Sequence, residues 1–171
     1  RSVVRFELWI SIKQSIIMLK SLCVWALCCY AVSAVYYEPC MKGGAKLVQV
    51  DIDPCDDQQR CGLIKGRNAT ILLTFIPDQD ITSLNNVVHG VIEHIPIPFP
   101  VGKNACGPNV KCPIKRGETA HYMAQIPISE KYPSISLVVK WELQVAGGND
   151  VICIQLPVRI ETAALPTVEI V

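Results

Sequence analysis

The sequence predicts an all-β chain, an immunoglobulin-like two-sheet β-sandwich of about seven strands with a Pro-rich loop at the rim of an apolar pocket. Three observations carry this. Apolar and polar residues alternate with period two over most of the chain, cysteines sit at spacings that suit disulfides, and the run Ile95-Pro96-Ile97-Pro98-Phe99-Pro100-Val101 is followed at once by Cys106 and Cys112.

The front of the chain carries an export pattern rather than domain structure. Met18-Leu19-Lys20 makes a basic start, residues 22–32 an apolar core, and Val32-Ser33-Ala34 a small-residue end. This is the pattern of a secretory signal peptide over 18–34, cut after Ala34, with a core too short to span a bilayer. Residues 1–17 precede the start Met and read as upstream translated sequence without a structural role. Residues 35–171 then form a single domain. Removing Arg1, Arg5, Lys13, Lys20 and Glu7 leaves twelve Lys and Arg against fourteen Asp and Glu. A mildly acidic chain without a basic cluster lacks the footprint of a nucleic-acid binder, so no nucleic-acid partner is expected.

Of nine cysteines, Cys23, Cys28 and Cys29 fall in the signal, leaving Cys40, Cys55, Cys61, Cys106, Cys112 and Cys153. An even number in an exported chain reads as disulfides. The two Cys-x5-Cys spacings favour local clips, Cys55 with Cys61 and Cys106 with Cys112, which leaves Cys40 to meet Cys153. No Cys-x2-Cys is present and an exported chain is oxidised, so no metal is expected.

Each strand follows from its pattern. In 134–145, Ile135, Leu137, Val139, Trp141, Leu143 and Val145 face one way, while Ser134, Ser136, Lys140, Glu142 and Gln144 face water. The turn residues 146–150 lead into 151–160, where Ile152, Ile154, Leu156, Val158 and Ile160 form a second apolar face; together these read as an antiparallel hairpin. Residues 46–52, 68–76, 87–94 and 119–128 add strands, separated by turn-rich pieces such as Pro77-Asp78-Gln79-Asp80. Proline removes a ladder donor and fixes φ. The run 95–101 is therefore expected as a stiff extended loop outside any ladder, the rim of an apolar pocket, and that suggests lipid binding.

Cys40, the paired clips, Asn68-Ala69-Thr70, Val87-Val88-His89-Gly90, Ile95-Pro96-Ile97-Pro98-Phe99-Pro100, Cys112-Pro113-Ile114, Tyr132-Pro133-Ser134-Ile135 and Trp141 together resemble the ML lipid-recognition family, in its soluble Niemann-Pick type C two branch (epididymal secretory protein). The resemblance spans about residues 40–160. It implies a two-sheet sandwich with an apolar cavity between the sheets, which part to admit a sterol or acyl chain, and three disulfides paired as above.

The resemblance also implies site residues. Phe99 corresponds to an aromatic at the tunnel mouth, with Pro98 beside it, and Tyr132 and Pro133 to the facing rim; the plainer alternatives are a core plug and a turn before a strand. Ile97, Ile128, Val139 and Trp141 correspond to the tunnel lining, although Val139 and Trp141 suit an ordinary sandwich core equally. Ile154 stands where the family carries a Trp, which implies a roomier tunnel. Glu93 and His94 depart from an uncharged stretch and are candidates for contact with a ligand head group, a solvated strand end being the alternative. The expected partner is a small hydrophobic ligand, a sterol or fatty acid, carried by a monomer that touches a membrane surface or hands over to a membrane sterol transporter.

Other functional classes find less support in the residues. His89, His94 and His121 make no catalytic set, and no Gly-x-Ser-x-Gly elbow or His-Glu-x-x-His motif occurs, so neither an enzyme nor a cofactor is expected. His89 reads as a strand histidine. A lipid-presenting protein of innate immunity would use a basic rim, for which Lys103, Lys111, Lys115 and Arg116 are the candidates; an extracellular carrier of semiochemicals is a further alternative. The Asn68-Ala69-Thr70 sequon suits a glycan at a strand start. The expected location is extracellular, with the lysosomal lumen as the alternative. Residues 162–171 carry no motif.

Overall fold

Period-two alternation becomes two facing sheets. The computed structural model describes residues 34–163. The upstream segment 1–17, the signal peptide before Ala34 and the tail from 164 lie outside the described residues. The strands are β1 (Glu38–Pro39), β2 (Lys46–Asp53), β3 (Cys61–Ile64), β4 (Asn68–Ile76), β5 (Asn85–Ile92), β6 (Ile95–Pro98), β7 (Ala120–Pro127), β8 (Ser136–Gln144) and β9 (Asp150–Glu161). One sheet runs β1-β9-β8-β5-β6, with β3 also on β9, and the other runs β2-β4-β7.

The expected hairpin is the spine of the larger sheet, with Trp141 opposite Ile154 and Val139 opposite Leu156. Its inward residues meet Ile71, Leu73 and Phe75 of β4 and Tyr122 and Ile126 of β7, all buried. The Tyr122 ring meets the Trp141 indole edge to face across the gap, centroids 6.1 Å apart. Burial of this kind, at about 25 cal/mol per Å² of apolar surface, is the main force holding the sheets together. Three disulfides fasten the chain: Cys40–Cys153, Cys55–Cys61 and Cys106–Cys112, the pairing the spacing suggested.

One end of the sandwich is fastened by a polar network with a buried centre. The Tyr122 hydroxyl donates to Asn86 Oδ1 at 2.7 Å. Asn86 Nδ2 donates in turn to the Gly102 carbonyl at 2.6 Å and to Asn109 Oδ1 at 2.9 Å. Asn109 Nδ2 donates to the Met123 carbonyl at 2.8 Å, so β5, β7 and the loop between β6 and β7 share one network. Burial raises the Tyr122 phenol well above its ordinary pKa.

The structure departs from the sequence pattern at three places. The Pro-rich run does enter a ladder: Ile95 to Pro98 pair with Ile92 to His89 on the free edge of the larger sheet. N–H groups alternate sides along a strand, and the Phe99 N–H donates to the Val88 carbonyl at 2.9 Å. Positions 95, 97 and 99 thus face β5, while Pro96 and Pro98 place their missing donors on the open side, where an edge strand tolerates them. Glu142 does not face water. It is buried on the outer face of the sheet, 2.9 Å from Lys140 Nζ and 3.9 Å from His89 Nδ1. A third difference is that β1 and β3 were not expected. β3 is too short to show alternation and runs parallel to β9, with Cys61 opposite Val158.

Candidate functional site

Beside the free edge of the larger sheet lies an apolar cavity of about 280 Å³. Its floor is Gly90 and Leu137, its sides Ile92, Ile97, Pro98, Ile135 and Ile160, and its rim Phe99, Tyr132 and Pro133. Each element delivers its part for a local reason. The β6 ladder ends at Phe99, whose N–H is the last to reach β5. Tyr132 is set by a tight turn in which its N–H donates to the Ser129 carbonyl at 3.1 Å and Lys131 N–H to Ser129 Oγ at 3.2 Å. The Ile160 N–H donates to the Ile135 carbonyl at 2.8 Å and closes the far wall. Gly90 is needed because a Cβ there would lie 2.9 Å from both Leu137 Cδ1 and Phe99 Cε2. The missing side chain lets the Phe99 ring settle onto the sheet.

The structure therefore brings Ile97, Pro98, Phe99, Tyr132 and Pro133 together in one cavity. Val139 and Trp141 lie deeper, with Ala69, Ile71 and Leu156, along a seam between the sheets of only about 20 Å³. Ile128 is buried after β7 and lines neither space, and Ile154 is a core residue toward the other end of β9. Glu93 and His94 form the two-residue turn between β5 and β6, with φ of 48° and 70°. They border a groove on the outer face of the sheet with Arg60 and Ser136. The left-handed conformation of a two-residue hairpin turn is the physical reason for short polar sequence there, although Asn or Gly would fit it with less strain. Sequence reasoning missed Gly90, Ile92, Ile135, Leu137 and Ile160 as site residues; the gap left by a glycine in an otherwise branched strand was the available signal.

The walls carry no charged side chain, so this space favours apolar guests. The basic candidates Lys103, Lys111, Lys115 and Arg116 do not line it. Lys115 is engaged with Asp80 at 2.9 Å, which raises the lysine pKa. The Arg116 N–H, then Lys115, hold the Asp80 carboxylate below its ordinary value. Asn68 is the exposed first residue of β4. Glu142, Asp150 and the Cys153 sulfur converge, but that sulfur is bonded to Cys40 and Lys140 occupies the Glu142 carboxylate, so the group is no metal centre.

The profile of the ML domain family matches residues 34–160. The chain belongs to the ML domain family. Over 127 residues it is 38% identical to the NPC intracellular cholesterol transporter 2 of Danio rerio, covering 74% of this chain and 85% of that protein. The ecdysteroid-regulated 16 kDa protein of Manduca sexta is 37% identical over 130 residues, 74% of this chain and 89% of its own length. Among solved structures, a Niemann-Pick type C2 protein from Japanese carpenter ant superposes with a TM-score of 0.67 at 25% identity, over 74% of this chain and 99% of that one. The ML domain match takes in every residue of the Phe99 cavity.

Proposed function

We propose that this chain is a secreted lipid carrier that takes a sterol, fatty acid or related lipophile between its sheets and transfers it without chemistry. The observation that carries the reading is the uncharged cavity behind Phe99 and Tyr132, with the apolar seam of Val139 and Trp141 deeper between the sheets. The likeness to the Danio rerio protein named as a cholesterol transporter supports it. The cavity falls just short of the usual range for ligand sites, ~300 to 1,000 Å³. A sterol therefore needs the seam to widen, and the sheets to part at the end away from the Asn86 network.

An apolar guest leaves water without any bond being made or broken. At ~0.3 kcal/mol per atom, a guest of about 28 heavy atoms gives ~8 kcal/mol, or roughly micromolar affinity. Such a carrier loads and still releases. We place delivery at a membrane surface or a membrane sterol transporter, and location outside the cell, with the lysosomal lumen as the alternative and a glycan on Asn68 in either case. A head group left at the mouth would emerge past Ile92, next to Glu93 and His94. Unchanged ligand preference in a Glu93→Ala, His94→Ala double variant would remove them from the reading.

The test is titration with a fluorescent sterol and a fluorescent fatty acid. Phe99→Ala should weaken binding about tenfold or more, from the lost burial of one aromatic side chain. Wild-type affinity in that variant would refute the placement of the mouth.

A further inference from the structure

A second cavity, of about 340 Å³, lies toward the other end of β9, between that strand and the segment leading from β1 into β2. Tyr37, Met41, Ala45 and Leu47 wall one side, and Ile152 and Ile154 the other. None of them lines the Phe99 cavity. Ile154 and Ile160 are separated along β9 by ~20 Å at the rise of a strand, so the two spaces are distinct sites.

The chain makes this space through its backbone. On this side of β9, β1 pairs only with Gln155 and Ile154, and β3 only from Val158 onward. Before those, the Ala45 N–H donates to the Val151 carbonyl at 2.8 Å and the Cys40 N–H to the Cys153 carbonyl at 3.0 Å. Between these two anchors the chain bows away through Gly43 and Gly44, both left-handed, with φ of 84° and 82°. Gly44 is pressed so closely that a Cβ would lie 2.7 Å from the Val151 oxygen and 2.8 Å from Met41 Cε. The bow is thus pinned, and Met41, unbranched and adaptable, supplies part of the wall.

The chemistry of the walls selects a guest. They hold no charged side chain, their only hydroxyl is that of Tyr37, and the Cys153 sulfur is spent in its disulfide. The volume is at the small end for ligand sites, which suits one chain better than fused rings. Lys42, exposed between the wall residues Met41 and Gly43, has no ion-pair partner among the described residues. We propose that this cavity is a second lipid site, which takes the tail of a single-chain fatty carboxylate and holds its head at Lys42. It does not depend on the Phe99 reading.

Calorimetric titration of dodecanoate into the full, disulfide-bonded chain tests this, with dodecanol as the uncharged arm. The expected result is a binding equivalent that survives Phe99→Ala, disappears in Ala45→Trp, and weakens roughly threefold for dodecanoate but not dodecanol in Lys42→Glu, as an exposed charge pair allows. Absence of any equivalent sensitive to Ala45→Trp in a folded variant overturns the proposal. Should Ala45→Trp fail to fold, the surface variant Lys42→Glu decides: unchanged dodecanoate binding overturns it, and selective weakening sustains it. Loss of the equivalent in Phe99→Ala instead would assign it to the Phe99 cavity and equally overturn the proposal.

Discussion

The Phe99 ring meets the Tyr132 ring edge to face, with centroids 6.0 Å apart and planes at 74°. The two residues come from opposite sides of the cavity rim, one ending the β6 ladder and the other closing the turn before β8. Their contact is the point at which the mouth is held.

An edge-to-face pair adds about 0.5 to 1.5 kcal/mol beyond burial. Tyr132→Phe keeps the ring and should leave sterol affinity unchanged, whereas Tyr132→Ala should weaken it by about two- to tenfold. Fluorescent-sterol titration of both variants distinguishes a ring effect from a hydroxyl effect.

Gly90→Ala places a methyl against the ends of Leu137 and Phe99, side-chain atoms that must shift. Overpacking of this kind costs ~1 to 3 kcal/mol. Its melting temperature should fall by several degrees and lipid affinity should fall with it, because the displaced ring is the one at the mouth. A variant with lowered stability but unaltered affinity would separate Gly90 from the site.

Removing the Cys40–Cys153 bridge should destabilise the fold most. Its sequence separation is 113, against 6 for each of the other two. The chain-entropy argument gives ~4 to 5 kcal/mol for the long loop and ~2 to 2.5 for a short one. Urea midpoints of Cys40→Ser, Cys153→Ser and Cys106→Ser, Cys112→Ser double variants test the order.

Tyr122→Phe leaves Asn86 Oδ1 without its buried donor and should cost about 1 to 3 kcal/mol. The pH dependence has a definite sign. Because burial raises the folded phenol above its unfolded value of 10.0, the folded state holds a proton that the unfolded state releases. The associated stability is constant below that pH and declines as alkali is added above it. In Tyr122→Phe this part of the alkaline decline should disappear, as denaturant melts from pH 8 to 11 would reveal.

The β8–β9 hairpin was legible in the sequence because one buried face and long strands make alternation visible, from Leu137 to Leu143 and from Ile152 to Ile160. β3 was not, since four residues pairing in parallel with a strand almost a hundred positions later leave no local signature. Glu142 shows the limit of the pattern: alternation gave its face correctly, but not that Lys140 and His89 would crowd over it. For the site, the run holding Ile97, Pro98 and Phe99 was legible as a pocket rim from its alternating prolines, while Tyr132 and Pro133 were reached through family resemblance. Gly90 and Ile160 were not singled out, because their role arises only where β5 and the end of β9 converge on the same space.

The prolines of β6 bear on more than the cavity they border. A sheet margin with greasy Ile95 and Ile97 exposed beside it invites another chain to add a strand. Pro96 and Pro98 offer that newcomer carbonyls but no amide hydrogens. The rim can thus stay oily enough for its cargo while refusing the hydrogen-bonded stacking that would turn a carrier into an aggregate.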